Sequence, residues 1–455
     1  RLTPSITLAT TVFTDFAETE DDGRQINLNR FPLFFPEKRD FFLEGGSYFT
    51  FGSAEAGGRR FQPFFTRRIG LAGDGTKIPL VFGSKVTGEA GPFEIGVIDV
   101  ETDATATTER ENLAVARAKY ALGDRTTVGL IGTHGDPTSA GTNSVVGADF
   151  WHRAPEFVGD LDLVTTVDVV ASTGGAGADD GESIGLDVQA RGSEWRFGLG
   201  GRQVAADFRP ALGFVSRRDT RRASATIAWQ PRTPEGSSIR RHLVEGRIER
   251  GDAIDGEAQE AGFALERLGV ELHGGDTIAA FASRTFERVD ADFLLFRDST
   301  LVARGDYWTN RAGVLVETSE GRPWNGRLEA STGDFFDGRS DQVEVAGEWR
   351  TSPLLHLGLD YESALVDLGP GRAFTTQVGS MRLDLHLDSD LSLRNLVQFD
   401  NESNVLGWQS RLRWNYRPGS DFFAVLGTAW EREADGSLVP TGQALEFKVV
   451  HTLRF

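Results

Sequence analysis

An antiparallel, up-and-down β-barrel crossing a membrane, all-β and made of a single domain over residues 1–455, is the fold class this sequence predicts. Three observations predict it. Apolar and polar residues alternate along most of the chain, short and long connections alternate between the segments, and the final segment is amphipathic and ends on an aromatic residue. Successive side chains of a strand point to opposite faces, so a period of two marks a sheet with one oily side and one wet side.

The final segment shows the pattern most clearly. One parity carries Leu445, Phe447, Val449, Leu453 and Phe455, and the other carries Glu446, Lys448, Thr452 and Arg454. It resembles the terminal targeting strand of bacterial outer-membrane barrels. That resemblance implies that Phe447, Val449, Leu453 and Phe455 act as the insertion signal read by the barrel-assembly machinery.

Composition narrows the classes. The 54 glycines and 16 prolines are spread along the chain, with no break that divides 455 residues into domains. No window approaches the ~18 uncharged apolar residues of a membrane helix, but lipid-facing strands alternate and leave no such window. The chain has no cysteine, which excludes disulfides, thiolate metal sites and cysteine nucleophiles. A net charge of -19 argues against nucleic acid as a partner. Arg1 runs almost directly into a strand, which reads as a mature or trimmed chain.

In order, the alternation begins at 5–16 with Ile6, Leu8, Val12 and Phe16 on one side. An acidic loop from Glu18 to Gly23 and a short return strand through Ile26, Leu28 and Arg30 follow. Between Phe31 and Gly58 the alternation stops, and the text is dense in Phe, broken by Pro32 and Pro36, and charged in the middle. Proline cannot donate to a ladder, so this is poor material for a central strand. Strands then resume at 61–71, 77–90, 93–103, 111–122, 125–135, 144–154, 160–172, 183–191, 194–206, 220–230 and 238–250. They continue at 258–273, 276–287, 304–317, 323–332, 340–350, 353–365, 372–387, 390–400, 405–417, 420–432 and 442–455. The expected total is about 24 strands, within 22–26.

Short connections are read at Gly91-Pro92, Gly123-Asp124, Gly192-Ser193, Gly274-Gly275, Ser352-Pro353, Ser389 and Pro418-Gly419. Longer, often acidic ones are read at 173–182, 207–219, 251–257, 288–303, 333–339 and 433–441. Short periplasmic turns and long outer loops segregate lengths in this way. Trp308, Trp349, Trp414, Tyr416 and Trp430 near strand ends suit interfacial anchors. Nothing in hydrocarbon pairs a free sheet edge, so the sheet is expected to close. About 24 tilted strands make a cylinder roughly 45–50 Å across, which something must fill.

The expected filler is 31–60, as a luminal plug. Phe34, Phe35, Phe41 and Phe42 would form its core, while Glu37, Lys38, Arg39 and Asp40 would pair with a charged wall. An extended loop outside the lumen is the plainer alternative. The stretch Asn27-Leu28-Asn29-Arg30-Phe31-Pro32-Leu33-Phe34-Phe35-Pro36-Glu37-Lys38-Arg39-Asp40-Phe41-Phe42-Leu43-Glu44-Gly45 resembles the signature of a large Gram-negative family. Phe64-Phe65-Thr66-Arg67-Arg68-Ile69-Gly70, Gly83-Ser84-Lys85-Val86-Thr87-Gly88 and Phe208-Arg209-Pro210-Ala211-Leu212-Gly213-Phe214 support it. In that family a carbohydrate-binding family 9-like domain precedes a barrel domain of unknown function. The resemblance covers 25–90 closely, reaches about 219, and is pattern alone beyond. It implies an outer-membrane barrel with a glycan connection and supplies no catalytic motif.

Other chemistry is sparse. The seven histidines (134, 152, 242, 273, 356, 386 and 451) stand singly, without metal-ligand spacing. The acidic loops carry oxygens suited to calcium or to divalent bridges with lipopolysaccharide, with plain solvation as the simpler reading and no cofactor expected. Arg382, Arg394, Arg411, Arg413 and Arg417 are expected to face the lumen, where a plug, a passenger, an anionic solute or the neighbouring Asp384, Asp388 and Asp400 can pair with them. The expected partners are outer-membrane lipid, lipopolysaccharide, the assembly machinery and a protein in or on the barrel. The function read from this is a plugged channel, transporter or secretion conduit in the outer membrane, with the glycan connection that the family resemblance implies. The alternative is a barrel that anchors or sheathes a surface fibre, lipoprotein or cytochrome. An outer-rim hydrolase ranks last.

Overall fold

The computed structural model describes residues 5–12, 22–53, 60–71, 76–138, 141–175 and 180–451. Twenty-two strands form one antiparallel sheet. They are β1 (Ile6–Val12), β2 (Leu80–Ala90), β3 (Phe93–Thr102), β4 (Asn112–Ala121), β5 (Thr126–His134), β6 (Asn143–Val158), β7 (Leu161–Gly174) and β8 (Gly181–Arg191). Next come β9 (Trp195–Val204), β10 (Thr220–Trp229), β11 (Ile239–Asp252), β12 (Ala258–Leu272), β13 (Thr277–Val289), β14 (Gly305–Glu317) and β15 (Trp324–Phe335). The last are β16 (Gly338–Ser352), β17 (Leu355–Asp367), β18 (Ala373–His386), β19 (Leu391–Asp400), β20 (Val405–Arg417), β21 (Ser420–Arg432) and β22 (Leu438–Val450). Each strand pairs with its successor, from Val12 opposite Phe82 to Asp421 opposite Val450. Among the described residues no ladder joins β22 to β1, the pair that would close the cylinder.

Two expected strands are not in this sheet. Residues 26–30 run extended without a ladder, because Asn27 and Asn29 satisfy the local main chain themselves: Asn27 Nδ2 donates to Phe31 O at 2.8 Å, and Phe31 N to Asn29 Oδ1 at 2.8 Å. Residues 61–71 contribute only Phe61–Gln62, paired with Phe214–Val215, before a 3-10 turn at Thr66–Arg68. Pro63 removes a ladder donor there. A further difference is the connection expected at 333–339, which is the tight turn 336–337 with Phe336 at φ 49°.

The two faces differ sharply. Leu130, Val146 and Leu199 point outward, 63%, 67% and 58% exposed, while their neighbours Ile131 and Val145 are buried on the other face. An outward surface so apolar is what a lipid-facing strand requires. Exposed Phe93, Tyr120, Trp195, Trp229, Trp324 and Trp414 gather at one end of the sheet. That end also holds the turns 91–92, 159–160, 353–354 and 418–419. Aromatics in this position match a membrane-interface girdle.

The inward face curls around the segment between β1 and β2. Arg24 bonds to Asp400 at the end of β19, while the Phe41 carbonyl accepts from Lys85 on β2. Along the sheet those strands lie roughly 80 Å apart at ~4.8 Å per strand. Residues 24 to 41 can span only about 60 Å even fully extended. Both contacts are possible only if the sheet wraps around the segment. For 22 strands the resulting cylinder is about 40–45 Å across.

Candidate functional site

The segment from Asp22 to Pro79, called the insert below, carries more internal order than its proline content suggests. Its centre is Arg39, whose side chain is 1% exposed. The guanidinium donates to both Glu37 carboxylate oxygens (2.9 and 2.7 Å), to Ile69 O (2.8 Å) and to Thr66 O (2.8 Å), and it lies over the Phe42 ring at 4.2 Å. One side chain thus joins the short helix α1 (Asp40–Leu43) to the return segment at 66–69. Burial opposes the charge of Glu37, but the hydrogen bonds and charge of Arg39 outweigh it and hold the carboxyl below its ordinary range.

The phenylalanines then find distinct partners. Phe34 stacks on Phe65 at 4.9 Å and meets Phe214 edge-on at 5.2 Å, with Arg60 over its other face. Phe35 lies beside Arg67, Phe41 beside Lys85, and Phe42 is buried under Arg39. A continuous apolar cluster unites Phe42, Phe49, Phe51, Phe61 and Phe64 with inward residues of β2 to β7 and β9 and with Phe208 and Leu212 of the 205–219 loop. This half of the interior is solidly packed.

The charges on the wall hold the insert mainly by its backbone. Lys85 donates to the Phe41 and Glu44 carbonyls. Arg117 donates to Thr50 O at 3.1 Å and pairs with Asp149 at 2.7 Å, and Asp149 accepts the Gly52 N–H at 2.9 Å. Arg202 pairs with Asp168 at 2.8 Å, donates to Ser53 O at 3.0 Å and covers Phe61 at 3.8 Å. The anchoring role of these five wall residues was not legible in the sequence, although Lys85 stands in one of the stretches that carry the family resemblance. The available signal was a charge on the otherwise apolar inward parity, as in Leu113-Ala114-Val115-Ala116-Arg117.

Glu37 and Arg39, expected to reach the wall, instead satisfy each other and the insert. Lys38 stands 3.6 Å from Asp22, and Asp40 begins α1. Two straps cross to the far wall: Arg24 to Asp400, and Arg30 to Glu287 at 3.2 Å and Asp290 at 3.5 Å.

Beyond the insert, facing β15 to β20, two adjoining cavities of about 340 and 290 Å³ share Arg24, Leu396 and Gln398 in their walls. Arg382 lines the second. Arg394 pairs with Asp384 at 2.9 Å and Arg413 with Asp421 at 2.8 Å. Arg411 covers Phe423 at 4.7 Å, and Arg417 sits at the 418–419 turn. Phe447 and Val449 point outward, 65% and 63% exposed, whereas Leu453 and Phe455 lie outside the described residues. Among the described residues no three potential metal ligands converge.

An apolar outer face, an aromatic girdle and a 22-stranded antiparallel meander define the class: this is an outer-membrane β-barrel. Residues 2–79, a span that includes β1 and the insert and stops just before β2, match the family model described as "Domain of unknown function (DUF5916)". No curated protein matches the chain. Among solved structures it resembles the siderophore receptor PirA from Pseudomonas aeruginosa at 7% identity and a TM-score of 0.50, covering 77% of this chain and 72% of that one. It also aligns with the receptor in the FpvAI–pyocin S2 complex at 10% identity and a TM-score of 0.48, covering 82% and 71%. At such identities the first likeness concerns the fold alone.

Proposed function

We propose that the chain is a transport barrel whose insert serves as a fixed luminal plug over β2 to β10 and leaves a constricted, charged passage along β15 to β20. The observation that carries this reading is the pair of adjoining cavities between the insert and that wall. A plug anchored by Lys85, Arg117 and Arg202 and packed on an apolar core is costly to expel whole. Unpaired burial of one such charge costs about 3–5 kcal/mol. Among the described residues the passage side is held by the Arg24 and Arg30 straps, the Gln398 hydrogen bonds to Asp22 and Arg24, and the packing of Ile26 and Leu28. Among those same residues no buried wall charge is anchored there on the insert's backbone as on the opposite wall, so solute moves where looser contacts must open. The receptor likeness is compatible with transport, and an interior already filled by the chain's own residues favours passage over sheathing a partner.

Single-channel recording in planar bilayers tests this, comparing the intact chain with one lacking residues 31–60. The expected result is small, structured current from the intact chain and a large steady pore after deletion. Equal conductance of the two forms would sink the plug. Silence of both would redirect attention to a sheathed or anchored partner and to what co-purifies.

A further inference from the structure

We propose that the cavity of about 290 Å³ is a selectivity site for small zwitterions of di- or tripeptide size, bound with the ammonium toward the wall and the carboxylate toward the insert. The proposal rests on the passage reading and names its solute class. Its starting point is how charge is distributed around one void. Arg24 and Lys38 line it from the insert, while the wall contributes Glu344, Asp360 and Glu362 from β16 and β17, flanked by Arg327 of β15 and Arg382 of β18.

The wall side is unusual in its own surroundings. Glu344 and Glu362 are direct register partners on neighbouring strands. Like charges placed opposite one another destabilise a sheet. Arg327, which also lines the void from β15, is matched to Glu317 and Glu329, and elsewhere on this wall Arg394 is matched to Asp384 and Arg413 to Asp421. Asp360, one rung nearer the short turns, accepts only the Ser380 hydroxyl at 3.0 Å among the described residues. The two glutamates therefore present negative charge to the void at a cost to the sheet.

Across the void the sign reverses. Lys38 has Asp22 at 3.6 Å and Arg24 is bonded to Asp400 and Ser403, so both cations are held in place on the insert side. Arg382, opposite Gly358 and thus one rung beyond Asp360, is a basic position on the glutamates' own wall, displaced from them toward the short turns. A simple cation entering here gains the glutamates but meets Arg24 and Lys38. A simple anion meets the reverse. A solute with both charges satisfies both sides, which is how complementary potentials discriminate.

Three probes of one backbone separate the alternatives: triglycine, N-acetyl-triglycine and triglycine amide, titrated calorimetrically into the full chain in detergent at pH 7. Triglycine is expected to bind about tenfold more tightly than either blocked form, as for one lost charge pair. The double variant E344Q/E362Q should lose the preference over the N-acetyl form, and K38Q the preference over the amide. Equal binding of all three, tightest binding of the amide, or variants that keep the wild-type order would overturn the proposal. Liposome swelling with the same probes separates it from the passage reading. Binding without swelling sinks passage alone, and swelling without discrimination sinks the zwitterion site alone.

Discussion

At the scale of residues, Arg39 shows how the insert is specified. Its burial is tolerable because all its hydrogen-bonding directions but one are aimed at Glu37, Thr66 and Ile69, an arrangement that planar, bidentate guanidinium permits and lysine does not. Arg39→Met should leave Glu37 buried without its cation and weaken docking of residues 36–71 by about 3–5 kcal/mol. Hydrogen exchange would show this as faster exchange confined to the insert while the strands stay protected. Because the Glu37 carboxyl is held below its ordinary value, its contribution is complete above that value and lost as pH falls through the lower, folded one. Current recorded from pH 7 downward should therefore be steady to about 4.5 and grow below it, and Glu37→Gln should abolish that step. Gly52 supplies a separate test. Its φ is +53° and a Cβ would fall 2.4 Å from Asp168 Oδ1, so Gly52→Ala must displace the carboxylate that holds Arg202. The expected phenotype is a loosened insert in an intact barrel.

At the scale of elements, the strands were legible and the insert was not, for one physical reason. Every strand of the sheet has a lipid side, and lipid enforces apolar alternation whatever the inner side holds. Inside the barrel no such rule acts. Ile26 and Leu28 alternate with polar residues as a strand would, yet they pack on the Leu295–Val302 cluster without any ladder. Residues 61–71 likewise alternate in places while serving Arg39 and the 205–219 loop. Removing these two segments from the expected 24 leaves the observed 22. The Phe-rich centre was conspicuous, but its partners lie far away in sequence, on Lys85, Arg117 and Arg202, and no local pattern announces a contact across the lumen. The element-scale prediction concerns the straps. Arg24→Ala combined with Arg30→Ala should raise the open probability several-fold without changing the heat-modifiable mobility of the barrel on gels. Unchanged gating would mean that the far-wall ion pairs do not restrain the passage side. Two partly buried straps share the load, and either alone can hold the segment, so the double variant is the informative one.

At the scale of the whole molecule, the direction of the chain decides from which side the insert enters. Val12 at the end of β1 lies opposite Phe82 near the start of β2, and β2 ends at the 91–92 turn. The insert therefore leaves and rejoins the sheet at the end opposite the aromatic girdle and the 91–92, 159–160, 353–354 and 418–419 turns, where the long 103–111, 205–219 and 290–304 connections also lie, together with the short 336–337 turn. In an outer-membrane barrel short turns face the periplasm and long loops face outward. The insert is then an outer connection folded inward and tethered at both ends, and a pull on the amino-terminal end of β1 would not extract it. The absence of cysteine makes the arrangement directly measurable, because a single introduced thiol is the only one in the chain. A membrane-impermeant maleimide should label Lys77→Cys, beside β2, and Asp435→Cys, between β21 and β22, on intact cells. Ser193→Cys, between β8 and β9, should react only after permeabilisation. If Ser193→Cys reacts on intact cells and the other two do not, the barrel stands the other way up, and the passage would open to the periplasm at the end where the insert begins. If Asp435→Cys reacts and Lys77→Cys does not, the orientation holds but the rim of the insert is covered, and the outer mouth is closed by something more than the residues described.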